Sequence, residues 1–363
     1  MRCLILAVTF LSSAAQATAQ ASNHRIVEAE RLVAQLTETY GVSGMEAPVR
    51  AVVQRLVPSG LATQTDTAGN LWVTVGRGEP TVVFIAHMDE IGFRVTAIRE
   101  DGSLELTAVG GLFPSLWEGR PALVHTGRAS VPGVFLPRDS TGSLNTTRTP
   151  SELRVDVGTG SREATAGLGI AAGNTVTMPK QFVRLANTRA TARSFDDRVG
   201  SAAQLLALRR LDRRRLRHTV IFIWSVREEI GLEGAEAAAR RLGVRTDRVH
   251  AIDTFVSADS PLEPHNFGVA PLGRGAVARA LDNSSVTPPA YVDSLVSVAR
   301  SRRIALQVGS TNGGNDGSVF SAYGVPDVPI GWPLRYAHSP AETIDLRDLV
   351  SLTDLIQAVA EQW

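Results

Sequence analysis

Imidazole and carboxylate side chains stand where apolar runs of the sequence end. The run from Thr81 to Ala86 is followed by His87, and the run from Thr219 to Val226 leads to Glu228. The candidate residues found at such ends, or just before a helical stretch, are His87, Asp89, Asp196, Glu228, Glu229, Asp253 and His338. Carboxylates that share a crevice poor in water raise one another's pKa unless cations separate them. Mixed imidazole and carboxylate groups suit zinc, with cobalt or manganese as competitors, so these residue types predict a divalent-metal centre.

Two of these groups have a spacing that predicts different roles for neighbouring side chains. Because side chains alternate along a strand, His87 and Asp89 point the same way, and Asp89 is placed to hold the second ring nitrogen of His87. Glu228 and Glu229 are adjacent and are expected to diverge, so one is predicted to bind metal and the other to act as general base. Asp196 precedes a helix, whose N-terminus favours a carboxylate. Each group alone has an ordinary structural explanation, and it is their convergence that indicates a site.

Apolar runs alternate with helical periodicity, which is typical of an α/β fold. Buried strands are predicted at Thr81–Ala86, Thr219–Val226, Val249–Ile252 and Val325–Ile330. Helices are predicted at Arg25–Tyr40, Pro48–Leu56, Val199–Arg210, Leu232–Leu242, Ala290–Arg302 and Leu346–Gln362. An open α/β sheet places its binding crevice beyond the carboxyl ends of its strands, where the candidate residues stand.

The sequence between residues 92 and 188 departs from this alternation. Short alternating stretches such as Phe93–Ile98 are separated by Asp101-Gly102 and Gly110-Gly111, with little helical periodicity. This segment is predicted to be a small β-barrel inserted into a catalytic domain formed by residues 22–91 and 189–363. The segment Arg138–Glu152, rich in Ser, Thr, Gly and Pro, is predicted to be a mobile loop within the insert.

Composition and the N-terminal sequence predict the location of the protein and exclude some classes of partner. The chain has 363 residues, with 37 basic and 36 acidic side chains. Its net charge therefore gives no indication of nucleic-acid binding. Arg2, the apolar run Leu4–Leu11 and the small residues that follow predict a signal peptide over residues 1–21, and hence export, to the periplasm rather than to full secretion. The only cysteine, Cys3, lies in that segment, so the mature chain is expected to be soluble and free of disulfides, without a membrane span.

The combined motifs resemble the glutamyl aminopeptidase and tetrahedral aminopeptidase family, metallopeptidase family forty-two. The resemblance covers nearly all of the mature chain. It rests on the motifs Tyr40–Gly44, Asp66–Leu71, His87–Glu90, Gly110-Gly111, Gly119-Arg120, Val131–Val134, Asp156–Gly158, Ser194–Gly200, Glu228–Ala235, Asp253, Leu272–Gly275, Gly313–Gly317 and Arg335–Pro340 with Glu342. It implies a mixed sheet flanked by helices, of the phosphorylase/hydrolase-like kind found in co-catalytic peptidases, with a PDZ-like barrel inserted.

The same resemblance implies roles for individual residues. Asp196 would bridge two divalent ions; His87 and Asp253 would complete one ion, and Glu229 and His338 the other. Glu228 would be the general base, and Asp89 would orient His87. The resemblance further implies aminopeptidase activity on peptides and assembly into a homo-oligomer. Where relatives read Gly-Gly-Thr-Asp-Ala, this chain has Gly313-Gly314-Asn315-Asp316-Gly317, so substrate contacts there are expected to differ.

Three other functions would account for parts of the same pattern. A carboxypeptidase, dipeptidase or deacylase of the same clan would share the metal ligands, but its insert would follow the Glu-Glu pair, whereas here the insert precedes Asp196. An endoglucanase would need two carboxyl groups and no metal, and would not require His87 or His338. A non-catalytic periplasmic binding protein would not need Glu228. The placement of the insert favours the aminopeptidase.

Overall fold

The computed structural model describes residues 20–21, 23–137, 149–257, 259 and 268–362. The first strands are β1 (Thr63–Thr65), β2 (Leu71–Gly76) and β3 (Thr81–His87). The next group is β4 (Gly92–Ile98), β5 (Leu104–Val109), β6 (Pro121–His125), β7 (Ser130–Phe135), β8 (Arg154–Asp156) and β9 (Thr175–Thr177). The last are β10 (Val183–Arg184), β11 (Arg189–Ala192), β12 (Thr219–Ser225), β13 (Arg248–Val256), β14 (Ala276–Leu281), β15 (Leu306–Ser310), β16 (Ile330–Leu334) and β17 (Glu342–Asp345).

Within the described residues, two α-helices precede these strands, four lie among them and one follows the last strand. They are α1 (residues 23–37), α2 (Ala47–Leu56), α3 (Arg162–Gly167), α4 (Phe195–Arg210), α5 (Glu233–Leu242), α6 (Pro289–Arg302) and α7 (Leu346–Gln362). The six predicted helices are confirmed, although α1 ends at residue 37 rather than at Tyr40. Within the described residues, no helix combines the length and apolarity that crossing a membrane requires.

An eight-stranded sheet forms the centre of the larger domain, in the order β1-β2-β12-β3-β13-β16-β14-β15. Strand β3 runs parallel to both β12 and β13, whereas β2 is antiparallel to β12 and β14 is antiparallel to β16. The predicted mixed sheet is therefore confirmed. The apolar faces of α4 and α7 pack on one side of this sheet, and α5 packs on the other. Both faces of the central strands are buried, which explains their unbroken apolar runs.

One predicted strand is wrong. The segment Val325–Ile330 forms only an isolated bridge from Asp327 to Val249, and the strand begins at Ile330 and continues to Leu334. Pro326 and Pro329 lack the amide hydrogen that a ladder needs, so the apolar run cannot pair regularly. The strand predicted at Val249–Ile252 exists but is longer, because β13 extends from Arg248 to Val256.

The inserted barrel is confirmed as a closed sheet in the order β4-β5-β8-β7-β6-β9. Its core contains the fully buried rings of Phe93, Trp117 and Phe135, whose centroids lie 5.0–5.6 Å apart. Of the predicted mobile loop, residues 138–148 lie outside the described residues, and Pro150–Glu152 forms a short 3₁₀ helix. Residues 1–19 of the predicted signal peptide also lie outside them.

A buried group of charges fixes the barrel where the chain enters and leaves it. We call it the junction cluster: Glu90, Lys180, Arg193 and Arg198. Glu90 precedes β4, and its carboxylate lies 2.7 Å from the ammonium of Lys180, which follows β9. The guanidinium groups of Arg193 and Arg198 lie 3.4 and 3.7 Å from the same carboxylate. Arg193 also covers the face of Trp117 in the barrel core, at 5.0 Å. Both crossings between the domains are thus held by one carboxylate.

Candidate metal centre

The carboxyl ends of β3, β12 and β13 meet at one edge of the sheet because these strands are parallel. His87 is the last residue of β3 and pairs with Ser225 at the end of β12. Asp253 lies in β13. A cavity of about 470 Å³ opens at this edge. Its lining includes Asp196, Glu228, Glu229, Asp253 and His338, together with Gly111 and Phe113 from the barrel. The sequence-predicted residues are therefore brought together. We call His87, Asp196, Glu228, Glu229, Asp253 and His338 the acidic centre.

Asp196 occupies the middle of the acidic centre because the start of α4 is irregular. Asp196 and Asp197 have non-helical backbone angles, and the peptide bond between them is cis. Asp196 faces the cavity, whereas Asp197 accepts hydrogen bonds from the amides of His87 (2.9 Å) and Gly200 (2.9 Å). The two adjacent aspartates thus serve different partners, one in the centre and one beneath it.

The two carboxylate oxygens of Asp196 face different imidazoles. Oδ1 lies 3.1 Å from Nε2 of His87, and Oδ2 lies 3.8 Å from Nε2 of His338. Glu229 approaches His338, with Oε2 3.3 Å from Nε2, whereas Oε2 of Glu228 lies 4.0 Å from Nε2 of His87. The predicted divergence of the neighbouring glutamates is confirmed. One potential ligand atom each from His87, Asp196 and Glu229 lies within 4.8 Å of the other two.

Asp89 lies beneath the acidic centre and is fully buried. Its Oδ1 is 3.4 Å from Nδ1 of His87, a distance that suits an ion pair but exceeds an ordinary hydrogen bond. The amide groups of Glu228 and Glu229 donate to the two oxygens of Asp89 at 3.1 and 3.2 Å. Asp89 therefore contacts His87 as predicted and also holds the turn that carries both glutamates.

Electrostatics in the acidic centre are dominated by crowded carboxylates. Burial raises the pKa of Glu228 well above its usual value; His87 opposes this rise and Asp253 adds to it. Burial also raises the pKa of Asp253 to about 7, against the charge of Arg279. Burial lowers the pKa of His87, but Asp196 and Asp89 outweigh this effect, so the pKa lies well above its usual value. The shifts at Glu228 and Asp253 disfavour ionised carboxylates, and a neighbouring cation would oppose them.

Comparison with known proteins identifies the family. A family model described as M42 glutamyl aminopeptidase matches residues 69–355. The chain belongs to this family. It is 30% identical over 349 residues to a lysyl aminopeptidase from Pyrococcus furiosus, an alignment that covers 91% of this chain and 96% of the relative. It is 28% identical over 337 residues to a glutamyl aminopeptidase from Lactococcus lactis subsp. cremoris, covering 89% and 93%.

A solved structure has the same fold. The TET1 peptidase of Pyrococcus horikoshii, described as able to assemble into a tetrahedron or a large octahedral shell, superposes with a TM-score of 0.85 at 32% identity. The match covers 93% of this chain and all of that chain, 100%. The M42 protein described here is accordingly an aminopeptidase, a hydrolase.

Two further residues of this M42 chain hold the acidic centre, and sequence reasoning gave neither of them a role. Glu342, in β17, accepts the amide of Asp196 at 3.3 Å and the amide of His338 at 3.0 Å. Its position four residues after His338 was the available signal. Arg279, in β14, lies 3.4 Å from Asp253 and 2.9 Å from Asp282. No local pattern marks it, because its partner Asp253 is on another strand.

The donor set fits a divalent cation of the kind that a metallopeptidase family implies. Carboxylate oxygens and imidazole nitrogens are ligands that zinc accepts. Burial is the first cause of the raised pKa values of Glu228 and Asp253, and an excess of buried negative charge adds to it. The carboxylates of Asp196 and Asp89 raise the pKa of His87. A cation bound among His87, Asp196 and Glu229 would relieve that excess.

Proposed function

We propose that this M42 aminopeptidase removes N-terminal residues from peptides with two divalent ions held by the acidic centre. The observation that carries the proposal is the position of Asp196 between two imidazoles, with Oδ1 toward His87 and Oδ2 toward His338. A carboxylate with one oxygen on each side is suited to bridge two cations.

The ligands divide naturally around that bridge. His87 and Asp253 would complete one ion together with Asp196, and Glu229 and His338 would complete the other. The 3.3 Å approach of Glu229 to His338 supports the second group, and the contact of His87 with Asp196 supports the first. We propose zinc as the metal, with cobalt or manganese able to replace it, because the affinity order alone does not select among them.

Glu228 would be the residue that moves the proton. Ions bound in the centre would supply an activated water and polarise the scissile carbonyl. Glu228 lines the cavity, and its side chain is 14% exposed, so it can reach a water molecule there. It would accept the proton of that water and return it to the leaving amine. Asp89 would hold both His87 and the Glu228–Glu229 turn in position beside Asp196.

The cavity suits the end of a peptide. Carboxylates of the acidic centre line one part of it and can attract a free α-amino group. Gly111 and Phe113 bring the barrel to the same cavity, so both domains would contact the substrate.

The test uses aminoacyl-methylcoumarin amides with different N-terminal residues, and protein that begins at residue 22. Metal-loaded wild type is compared with chelated protein and with Glu228→Gln, and metal content is measured in each. We expect turnover only in the loaded wild type, and unchanged metal content in Glu228→Gln. Turnover of N-acylated or C-terminal substrates instead would refute the exopeptidase assignment, and full activity after chelation would refute the metal mechanism.

Assembly and destination belong to the same proposal. We propose a homo-oligomer, on the basis of the assembly described for the TET1 peptidase, and light scattering of the purified protein tests it. We also propose that residues 1–21 are a signal peptide and that the protein is exported to the periplasm. Peptide mapping of the N-terminus in cell fractions tests that step, since an intact Met1 in the cytoplasm would contradict it.

A further inference from the structure

The loop between α1 and α2 contains a family motif that the proposed chemistry does not use. Ser43 is fully buried in this loop, and Glu46, just before α2, is 4% exposed. Neither residue lines the cavity of the acidic centre. Their side-chain oxygens nevertheless lead by short hydrogen bonds to the turn that carries Glu228 and Glu229.

Ser43 acts on that turn through Asp89. Its hydroxyl donates to Oδ2 of Asp89 at 2.6 Å, and the amide of Glu229 donates to the same oxygen at 3.2 Å. Oδ1 of Asp89 receives the amide of Glu228 at 3.1 Å and faces His87. An ionised carboxylate offers about four acceptor positions. Three hydrogen bonds, from Ser43 and the amides of Glu228 and Glu229, and the ion-pair contact with His87 together fix the orientation of Asp89.

Glu46 acts on the same turn from its other end. Its Oε1 accepts the amide of Arg227 at 3.1 Å and the amide of Gly44 at 2.6 Å. Arg227 has a positive φ of 55°, which is uncommon for a residue with a side chain and must be stabilised by its surroundings. The peptide that begins the Glu228–Glu229 turn is therefore fixed by a buried side chain of another segment.

We infer that Ser43 and Glu46 are positioning residues that set the orientation of Glu228 and Glu229. Ser43 does so through Asp89, and Glu46 does so through the Arg227 amide. The inference rests on the proposed function, because it matters for catalysis only if Glu228 moves the proton and Glu229 binds metal. Substitution of residues that support metal ligands in this way commonly lowers metal affinity or activity by about 10- to 100-fold.

The chain offers a matched pair of variants for the test. Glu46→Gln keeps an oxygen at the acceptor position, whereas Glu46→Met has similar length and loses it. Ser43→Ala removes the hydroxyl with little change in volume. For metal-saturated protein we expect Glu46→Met and Ser43→Ala to lower kcat by about 10- to 100-fold, with KM within about twofold of wild type, because the cavity lining is untouched. We expect Glu46→Gln to retain kcat within about threefold.

A second readout does not depend on turnover. Competition with a metallochromic chelator measures the affinity for each zinc ion, and we expect Glu46→Met and Ser43→Ala to weaken one of the two ions by about 10-fold or more. A thermal melt of each variant confirms that the protein compared is folded.

The outcomes separate this inference from the function on which it rests. If wild type hydrolyses no aminoacyl substrate, the proposed function fails. If wild type is active and Glu46→Met, folded and loaded, matches it in kcat and zinc affinity, only the positioning inference is overturned. An equal loss in Glu46→Gln and Glu46→Met would also overturn it, since the acceptor oxygen would then not be what matters. If Glu46→Met does not fold, Ser43→Ala decides by the same criteria.

Discussion

The acidic centre and the junction cluster are both buried and charged, yet the balance of charge in them is opposite. In the acidic centre, carboxylates crowd around Asp196, and burial raises the pKa of Asp253 to about 7. In the junction cluster, one carboxylate faces three cations. Burial alone would raise the pKa of Glu90, but the charges of Lys180, Arg193 and Arg198 lower it to about 2. The two groups are joined along the chain, because Asp89 and Glu90 are neighbours.

This contrast separates a carboxylate that is surrounded by cations of the fold from a group in which four carboxylates share two imidazoles. A carboxylate whose pKa is lowered already has partners within the fold. Burial raises the pKa values of Glu228 and Asp253 and neighbouring carboxylates add to the rise, which is an effect that a bound cation would oppose. The balance of fixed charge, more than burial or residue type, distinguishes the two clusters.

The largest expected effect comes from neutralising Asp196, which we propose bridges two ions in the acidic centre. We expect Asp196→Asn to lower kcat/KM by on the order of 10³-fold or more, because losing a shared ligand weakens both ions, whose electrostatic effect is worth several kcal/mol. Metal content measured by mass spectrometry should fall as well. Asp212→Asn, at a partly exposed carboxylate remote from the centre, is the control. An Asp196→Asn protein that keeps both ions and its activity would contradict the bridging role.

Breaking the junction cluster should instead reduce stability. Removing one partner of a buried ion pair typically costs about 3–5 kcal/mol. We expect Glu90→Gln to approach that range, because it leaves Lys180, Arg193 and Arg198 without their shared carboxylate. Lys180→Met should cost less, since Glu90 keeps two guanidinium groups. Urea unfolding of chelated protein measures both free energies, and the reverse order of the two variants would show that Lys180 is the main partner.

The smallest expected effect is the pH dependence of the difference in unfolding free energy between wild type and Glu90→Gln. The pKa of Glu90 is about 2 in the folded protein and near its ordinary 4.5 in the unfolded chain. Since the folded pKa is lowered, its stabilisation is complete above about pH 4.5 and is lost as the pH falls toward 2. The free energy of unfolding of wild type minus that of Glu90→Gln should therefore shrink between pH 5 and about 3. Chelated samples keep metal release out of this comparison, and a pH-independent difference would argue against an ionised Glu90.

The sequence predicted the acidic centre better than it predicted its support. His87, Glu228 and His338 stand beside apolar runs, so a local pattern marks them. Glu90 and Lys180 are 90 positions apart and meet only because the barrel folds between them. No periodicity reports such a contact. The contacts from Ser43 to Asp89 and from Glu342 to Asp196 span 46 and 146 positions. They could not be predicted from a local sequence pattern either.

The fold shows the same limit in one strand. The strand predicted at Thr81–Ala86 is confirmed, and β3 extends one residue further, to His87. In the segment Val325–Ile330, Pro326 and Pro329 prevent regular pairing, and β16 begins where the prediction ended. The register between strands and the orientation of the barrel depend on contacts between residues that are far apart in the sequence.

Lys180 is the only lysine in the chain, and its side chain is fully buried. Reagents that acylate primary amines should therefore find only the terminal α-amine on the native protein. Lys180 would be labelled only after the junction between barrel and catalytic domain opens. The molecule thus carries a built-in chemical reporter of its own unfolding, and a fluorophore can be attached to its N-terminus without touching another side chain.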